Sequence, residues 1–182
     1  MKPEFLKTDK KESWKSWWFS TLMNWYTMYF GTGGKIVFWA ADSTKVHFRL
    51  RLNMWTYNYV GTIFGGSMFS ASDPFYMVML FRSLGSSFVV WDKSASIKFK
   101  KPARTTLFAK LEMTHQVLEE FKVRVKVHGH TTHDFLIQWM DNAGGVVHAE
   151  MQRHCYIADK EFYQKKKGET QSAKLEFKIG NK

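Results

Sequence analysis

The sequence predicts an α+β protein in which a long antiparallel sheet curls around one buried helix. Five segments alternate apolar and polar residues with a period of two, which is typical of strands with one buried and one wet face. They are residues 45–52, 95–100, 107–113, 121–128 and 147–152. Residues 75–81, by contrast, are apolar all round, as expected for a helix enclosed on every side. One-sided strands favour antiparallel pairing, because parallel sheets are usually covered on both faces.

Size and composition fit one domain. The chain has 182 residues, 45% of them hydrophobic, so it can bury a large core. We expect a single domain over 1–159 and a basic polar tail over 160–182 with weak local structure. Its single cysteine, Cys155, excludes an internal disulfide or a cysteine-based zinc site and is expected simply to pack. A signal-peptide pattern and a spanning stretch are not visible, so we expect a cytoplasmic protein.

The first predicted element is a helix over 9–30. Asp9 and Glu12 have the spacing of a capping box. Large side chains, most of them aromatic, recur at steps of three and four and define one helix face. They are Trp14, Trp17, Trp18, Leu22, Trp25, Tyr26 and Tyr29. We expect this face to pack on its own domain, the alternative being an interfacial membrane helix.

Turns and further strands complete the pattern. The glycine-rich segment 31–34 lacks the Lys-Ser/Thr pair of a phosphate loop and is interpreted as a turn. Residues 35–41 and 135–140 are expected to be strands, and 142–145 a hairpin turn. The apolar helix is expected to end at Gly85. Propensity alone would start that helix at Asp73 as N-cap, with Pro74 at its first position.

The stretch from Asn58 to Asp73 carries the most specific signal. It contains Asn58, a Gly-Thr step at 61–62, the pair Gly65-Gly66, and Asp73 seven residues after Gly66. This spacing resembles the start of the central helix in hotdog-fold acyl-CoA thioesterases of the phenylacetate-type branch. The GTIFGGS…DP letters are also similar to those of uncharacterised bacterial proteins described as tetrameric acyl-CoA thioesterases. Residues 101–104 resemble the hotdog element that joins two long strands, and the likeness spans roughly 34–158.

The resemblance implies a role for each residue. The Gly65 N–H would polarise a thioester carbonyl, Asn58 would position the loop or a water, and Asp73 would act as general base or nucleophile. Such an oxyanion needs preorganised donors, which backbone amides at a helix start supply. Substrate binding would fall to the neighbouring residues. These are Phe64, Gly66, Lys101 and Arg104.

The same resemblance implies a site shared between subunits. Gly65 and Asp73 would lie roughly 12 Å apart along a helix, too far to act on one carbonyl within one chain. Asp73 would therefore come from the partner of a homodimer or tetramer. The helix would begin near Gly66 and kink at Pro74. The sequence departs from the family at Phe64, where many relatives have a histidine.

The excess positive charge lies on the predicted sheet and tail. The formal net charge is +11. The wet faces of the five alternating segments carry nine Lys and Arg against two acids, and the tail carries seven Lys against three. The basic surface could bind the phosphates of coenzyme A, anionic lipid or nucleic acid. The alternative is a solvated surface that only makes the protein soluble. Nucleic acid is the least favoured, because the exposed positions offer few stacking aromatics besides Phe108.

The leading hypothesis is therefore hydrolysis of acyl-CoA, with coenzyme A entering only as part of the substrate. The alternatives are a non-catalytic hotdog protein that binds acyl-CoA or acyl chains, and a basic surface-binding module. A metal site is not expected: His128, His130 and His133 are spaced like ligands but have no carboxylate in register. Ser67 and Ser70 lack a histidine at a diagnostic spacing for a serine hydrolase.

Overall fold

The computed structural model describes residues 3–169. After a short 3-10 turn at Glu4–Leu6, helices and strands alternate along the chain. The helices are α1 (Trp14–Trp25), α2 (Thr27–Phe30), α3 (Gly65–Ser70), α4 (Phe75–Leu84), α5 (His115–His128) and α6 (160–169). The strands are β1 (Gly34–Trp39), β2 (Lys45–Leu50), β3 (Phe88–Phe99), β4 (Leu107–Glu112), β5 (His130–Met140) and β6 (Val147–Asp159).

The six strands form one antiparallel sheet in the order β1-β2-β4-β5-β6-β3. The predicted α+β class and antiparallel pairing are confirmed. Strands β3, β5 and β6 are much longer than predicted, because parts of them do not alternate. In β6, for example, the four consecutive residues 155–158 are all buried.

Helix α4 lies in the hydrophobic core that the sheet encloses. Phe75, Met79 and Leu80 are fully buried, and the Phe75 ring lies 4.6 Å from that of Phe48 on β2. The prediction that this helix is buried on every side is nevertheless wrong for the single chain. Phe81 is 42% exposed, and Val78 is half-buried, so one side of α4 remains partly open.

The expected kink near Pro74 is a complete break. Residues 71–74 form a turn between α3 and α4. Capping of α4 by Asp73 is wrong: Pro74 itself is the N-cap, and no side chain caps this helix. The helical state is disfavoured before a proline, which fits a helix that stops short of Asp73.

Residues 121–128, predicted as a strand, belong instead to helix α5. Phe121 and Val125 are buried, whereas Val123 and Val127 are 61% and 68% exposed, so the period is helical. The Thr114 side chain caps the helix by accepting from the Val117 N–H, and Gly129 ends it in the left-handed region. Three basic residues assigned to the sheet face thus lie on a helix. They are Lys122, Arg124 and Lys126.

Helix α1 begins later than expected and faces the other way. Its N-cap is Ser13, which forms a capping box with Ser16, not Asp9. The helix packs on the sheet, but through Ser16, Ser20 and half-buried Phe19. The expectation that its aromatic face packs inward is therefore wrong, except for Tyr29, which is buried against Phe75. Asn24 accepts from the Ile36 N–H and donates to the Ile36 carbonyl, which covers the edge of β1.

The tail also differs from expectation where it is described. Residues 160–169 form α6 rather than weakly ordered chain, and the Phe162 ring stacks on His130 at 5.4 Å. The rest of the predicted tail, 170–182, lies outside the described residues. Within residues 3–169, no helix has the length and apolarity that crossing a bilayer requires.

Candidate active site

One pocket of about 610 Å³ gathers six of the seven predicted site residues. It lies between the loop before α3, the start of α3 and the segment that follows β3. The six are Asn58, Phe64, Gly65, Gly66, Lys101 and Arg104. Asp73 is absent from its lining.

Asn58 orders the loop that forms one wall. Its side-chain oxygen accepts from the Val60 and Thr62 N–H groups at 3.1 and 3.0 Å, and its amide nitrogen donates to the Thr62 hydroxyl at 2.9 Å. Gly61 has a φ of 74°, as this tight turn requires. Because these bonds engage both ends of the Asn58 amide, its role within the chain is to hold the loop.

The start of α3 presents backbone donors to the pocket. Neither the Gly65 nor the Gly66 N–H donates to another group within residues 3–169. Ile63 on the preceding loop is held by the Ala103 carbonyl at 2.8 Å. The first amides of a helix point outward along its axis and carry its positive end, so they can receive a developing oxyanion.

Aromatic rings pack closely on both glycines. A Cβ on Gly65 would lie 2.5 Å from Cζ of Phe99, and one on Gly66 would lie 2.3 Å from Cε1 of Phe64. Phe64 and Phe99 are each more than half exposed and stand at the pocket. They therefore form apolar walls beside the free amides, where water is displaced and donors act more strongly.

Two cations stand at the mouth of the pocket. Lys101 and Arg104 are exposed, and within the described residues neither has a carboxylate partner. The buried His148 anchors their segment: its carbonyl accepts from the Lys101 N–H at 3.2 Å. Fixed, unpaired cations of this kind suit the phosphates of a nucleotide.

Asp73 lies in a different environment, on the turn between α3 and α4. It is half-exposed and forms an ion pair with Arg153 of β6, which is buried and also bonds Asp92 of β3 at 3.1 Å. Cys155 donates to the other Asp92 oxygen, and burial, then its bond to Asp92, raises the pKa of this thiol. Asp73 is thereby tied, through Arg153, to a defined point of β3.

Gly65 and Asp73 are consequently anchored near opposite ends of the same strand. Gly65 packs on Phe99, the last residue of β3, whereas Asp73 connects to Asp92, seven positions earlier. Seven extended residues span about 20 Å or slightly more. Within the single chain, Gly65 and Asp73 therefore have different surroundings: Gly65 lines the pocket, and Asp73 pairs with Arg153.

Arg153 is the residue that sequence reasoning missed. The alternation of β6 continues Val147, Ala149, Met151 to position 153, which it assigns to the buried face. A charged residue at a buried position needs partners, and this signal would have predicted a carboxylate nearby.

Within residues 3–169, no cluster of three metal-ligating side chains is present. His128 ends α5, so it does not share a strand face with His130.

Comparison with solved structures defines the class of protein. A Pseudomonas aeruginosa protein described as a probable thioesterase superposes with a TM-score of 0.61 at 18% identity, covering 70% of this chain and 84% of its own. A protein of unknown function from Chlorobaculum tepidum gives 0.63 at 12% identity, with 78% and 92% covered. A Haemophilus influenzae thioesterase gives 0.57 at 10% identity, with 82% and 93% covered. The fold is thus the hotdog fold of thioesterase-like proteins.

The family follows from the sequence itself. Residues 15–157 match the family described as Domain of unknown function (DUF4442), and the chain belongs to it. No significant match was found among curated proteins.

Proposed function

We propose that the protein hydrolyses acyl-CoA thioesters in a site shared by two subunits. The observation that supports this most is the pocket at Gly65, which combines free backbone amides, apolar walls and unpaired cations at its mouth. Thioesterases among the structural neighbours support this proposal by analogy of fold.

In the proposed reaction the acyl carbonyl oxygen accepts from the Gly65 N–H. Negative charge that develops on this oxygen is stabilised there more than in the substrate. The apolar walls hold the acyl chain, and Lys101 and Arg104 bind the phosphates of coenzyme A. Water adds to the carbonyl carbon and the carbon–sulfur bond breaks, giving a carboxylic acid and the coenzyme A thiol. As general base, Asp73 of the partner subunit takes a proton from the attacking water and returns it to the leaving thiolate. As nucleophile, Asp73 would attack in place of water and displace the thiolate, and water would then hydrolyse the resulting acyl anhydride.

The open edge of β3 supports the shared site. The opposite edge, β1, is covered by Asn24 of α1, but β3 is a twelve-residue edge strand with Trp91 54% exposed. Phe81, on the open side of α4, adds apolar surface to this region. An exposed edge of this length pairs readily with another strand.

Pairing of two β3 strands across a two-fold axis would also bring the halves of the site together. Antiparallel pairing sets the Phe99 end of one strand toward the Asp92 end of the other. Gly65, which packs on Phe99, would then approach Asp73 of the second subunit. The same contact completes two sites at once.

The test is hydrolysis of a panel of acyl-CoA substrates by the wild type, Asp73→Asn and Asp92→Asn. Asparagine keeps a hydrogen-bond acceptor for Arg153 in each case but removes the carboxylate. We expect turnover by the wild type, a loss of about 10²-fold or more in Asp73→Asn, and little change in Asp92→Asn. Equal losses in the two variants would mean that Asp73 only supports Arg153, and would contradict the mechanism.

A second candidate is a non-catalytic protein that binds acyl-CoA or acyl chains. Phe64 favours it, because this residue cannot form the hydrogen bonds of the histidine found in many relatives. The ion pair of Asp73 with Arg153 points the same way. Tight binding of acyl-CoA without turnover at any chain length would establish this alternative.

A further inference from the structure

The outward face of α1 and α2 is a large apolar surface that the proposed function does not use. Eight large side chains there are each more than half exposed. They are Trp14, Trp17, Trp18, Leu22, Trp25, Tyr26, Met28 and Phe30. Between residues 14 and 30 the only charged residue is Lys15. We call this surface the aromatic face.

The aromatic face is held outward by the contacts of the inner face. Ser16 and Ser20 are buried, the Phe19 ring meets Trp39 edge-on at 5.0 Å, and Asn24 bonds both backbone groups of Ile36. Turning the helix over would break all of these contacts. The exposure of the tryptophans is therefore a property of the folded chain.

A cleft of about 440 Å³ adjoins the aromatic face. Trp17 and Trp25 of α1 form one wall, and Lys35 of β1 and Arg49 of β2 lie on the other. Glu12 is the acidic residue of the lining, and its carboxylate accepts from the Trp39 N–H at 3.2 Å. The cleft thus combines aromatic rings with two cations.

These two cations face each other across neighbouring strands. Lys35 and Arg49 are direct cross-strand partners, an arrangement that is unfavourable for like charges. Within residues 3–169 neither has an ion-pair partner, although Lys45 and Lys110 of the same sheet, and Lys100 just after β3, each pair with a glutamate. The buried Nε of Arg49 has no hydrogen-bond partner. Burial, then repulsion from Arg51, lowers the pKa of the Arg49 guanidinium.

We propose that the aromatic face docks on a bilayer containing anionic phospholipids, with a lipid phosphate bound between Lys35 and Arg49. Tryptophan and tyrosine favour the membrane–water interface, where an apolar ring and a polar edge are both accommodated. A phosphate would neutralise the two cross-strand cations. A second copy is a poorer occupant, because a two-fold contact through this face would bring both cation pairs together.

The test is co-flotation with vesicles of phosphatidylcholine, with and without phosphatidylglycerol. Wild type is expected to float with the anionic vesicles, and to be released from them by salt. Replacing both wall tryptophans (Trp17→Ser with Trp25→Ser) is expected to weaken binding about tenfold or more. Removing both cations (Lys35→Gln with Arg49→Gln) is expected to abolish the preference for phosphatidylglycerol.

The matched control removes two exposed apolar residues from another helix, α5: Val123→Ser with Val127→Ser. It is expected to bind vesicles as the wild type does. The proposal is overturned if wild type ignores anionic vesicles at low salt, or if the tryptophan variant binds as well as the control. It is equally overturned if the tryptophan substitutions only reduce the oligomer size in the absence of lipid, which would make the face an interface between copies.

Discussion

At the scale of single residues, the pocket arrangement was predictable and the environment of Asp73 was not. Asn58, Gly65 and Arg104, which the resemblance to hotdog thioesterases singles out, line one pocket, and the glycine pair and the Asx turn that shape it act locally. The partner of Asp73, Arg153, lies 80 positions away. Only tertiary pairing brings these two residues together, so local patterns carried no direct sign of it.

The proposed oxyanion donor can be tested by a pair of substitutions at Gly65. This residue is the first of α3, a position that tolerates proline, and Phe64 before it has the extended backbone that proline requires. Gly65→Pro removes the N–H, whereas Gly65→Ala keeps it, and both crowd Phe99. We expect the proline variant to lose about 10²–10³-fold in kcat relative to the alanine variant. Equal kcat values would exclude the Gly65 N–H as donor.

Asp42 predicts part of the pH dependence of stability. Burial alone would raise its pKa, but hydrogen bonds from Lys10 and Thr44 outweigh this and hold the pKa at about 2. A lowered carboxyl pKa stabilises the fold above the unfolded value near 4, and this contribution is lost as the pH falls toward 2. Asp42→Asn should lower the free energy of unfolding by about 0.5–1 kcal/mol at pH 7, since the pair is partly exposed.

Urea unfolding of Asp42→Asn and wild type at several pH values measures this effect. The difference between the two should shrink between pH 4 and pH 2. Asp9→Asn serves as a control, because Asp9 lies outside this hydrogen-bond network. A difference that stays constant down to pH 2 would contradict the assignment.

At the scale of elements, the alternation of apolar and polar residues identified strands reliably only where apolar residues did not also recur at steps of three and four. In 121–128 the apolar residues at every second position concealed a second pattern, Leu118, Phe121 and Val125, at steps of three and four. Glu119 with Lys122 and Glu120 with Arg124 are helical pairs that add to this pattern. A helix was correctly predicted near the start of the chain, but it begins at Trp14 and breaks at Tyr26. Its aromatic side faces outward except for Tyr29, which is buried.

Alanine substitutions distinguish a helix from a strand over 121–128. On a strand Val125 and Val127 would share the buried face, whereas on α5 only Val125 is buried. Val125→Ala is expected to lower the free energy of unfolding by about 2 kcal/mol, and Val127→Ala by less than about 0.5 kcal/mol. Similar losses for both variants in urea titrations would indicate a strand instead.

At the scale of the whole molecule, the structure shows where the positive charge lies and how the two edges of the sheet differ. The net positive charge belongs partly to α5 rather than to the sheet, and much of the remaining sheet charge is paired with Glu112 and Glu150. The two sheet edges differ: α1 covers β1, whereas no further strand pairs with β3 within residues 3–169. Strand order depends on long-range pairing, so which strand forms the open edge could not be predicted from local patterns.

The central claim is that Gly65 of one subunit acts with Asp73 of another. It is tested most directly by co-expressing differently tagged Gly65→Pro and Asp73→Asn chains and purifying all dimers together, both mixed and unmixed. Each variant alone is expected to be inactive. Random assembly makes half of the dimers mixed, and each mixed dimer keeps one intact site, so about a quarter of the wild-type rate should return. If mixed dimers are present but remain as inactive as either parent, the shared site is contradicted.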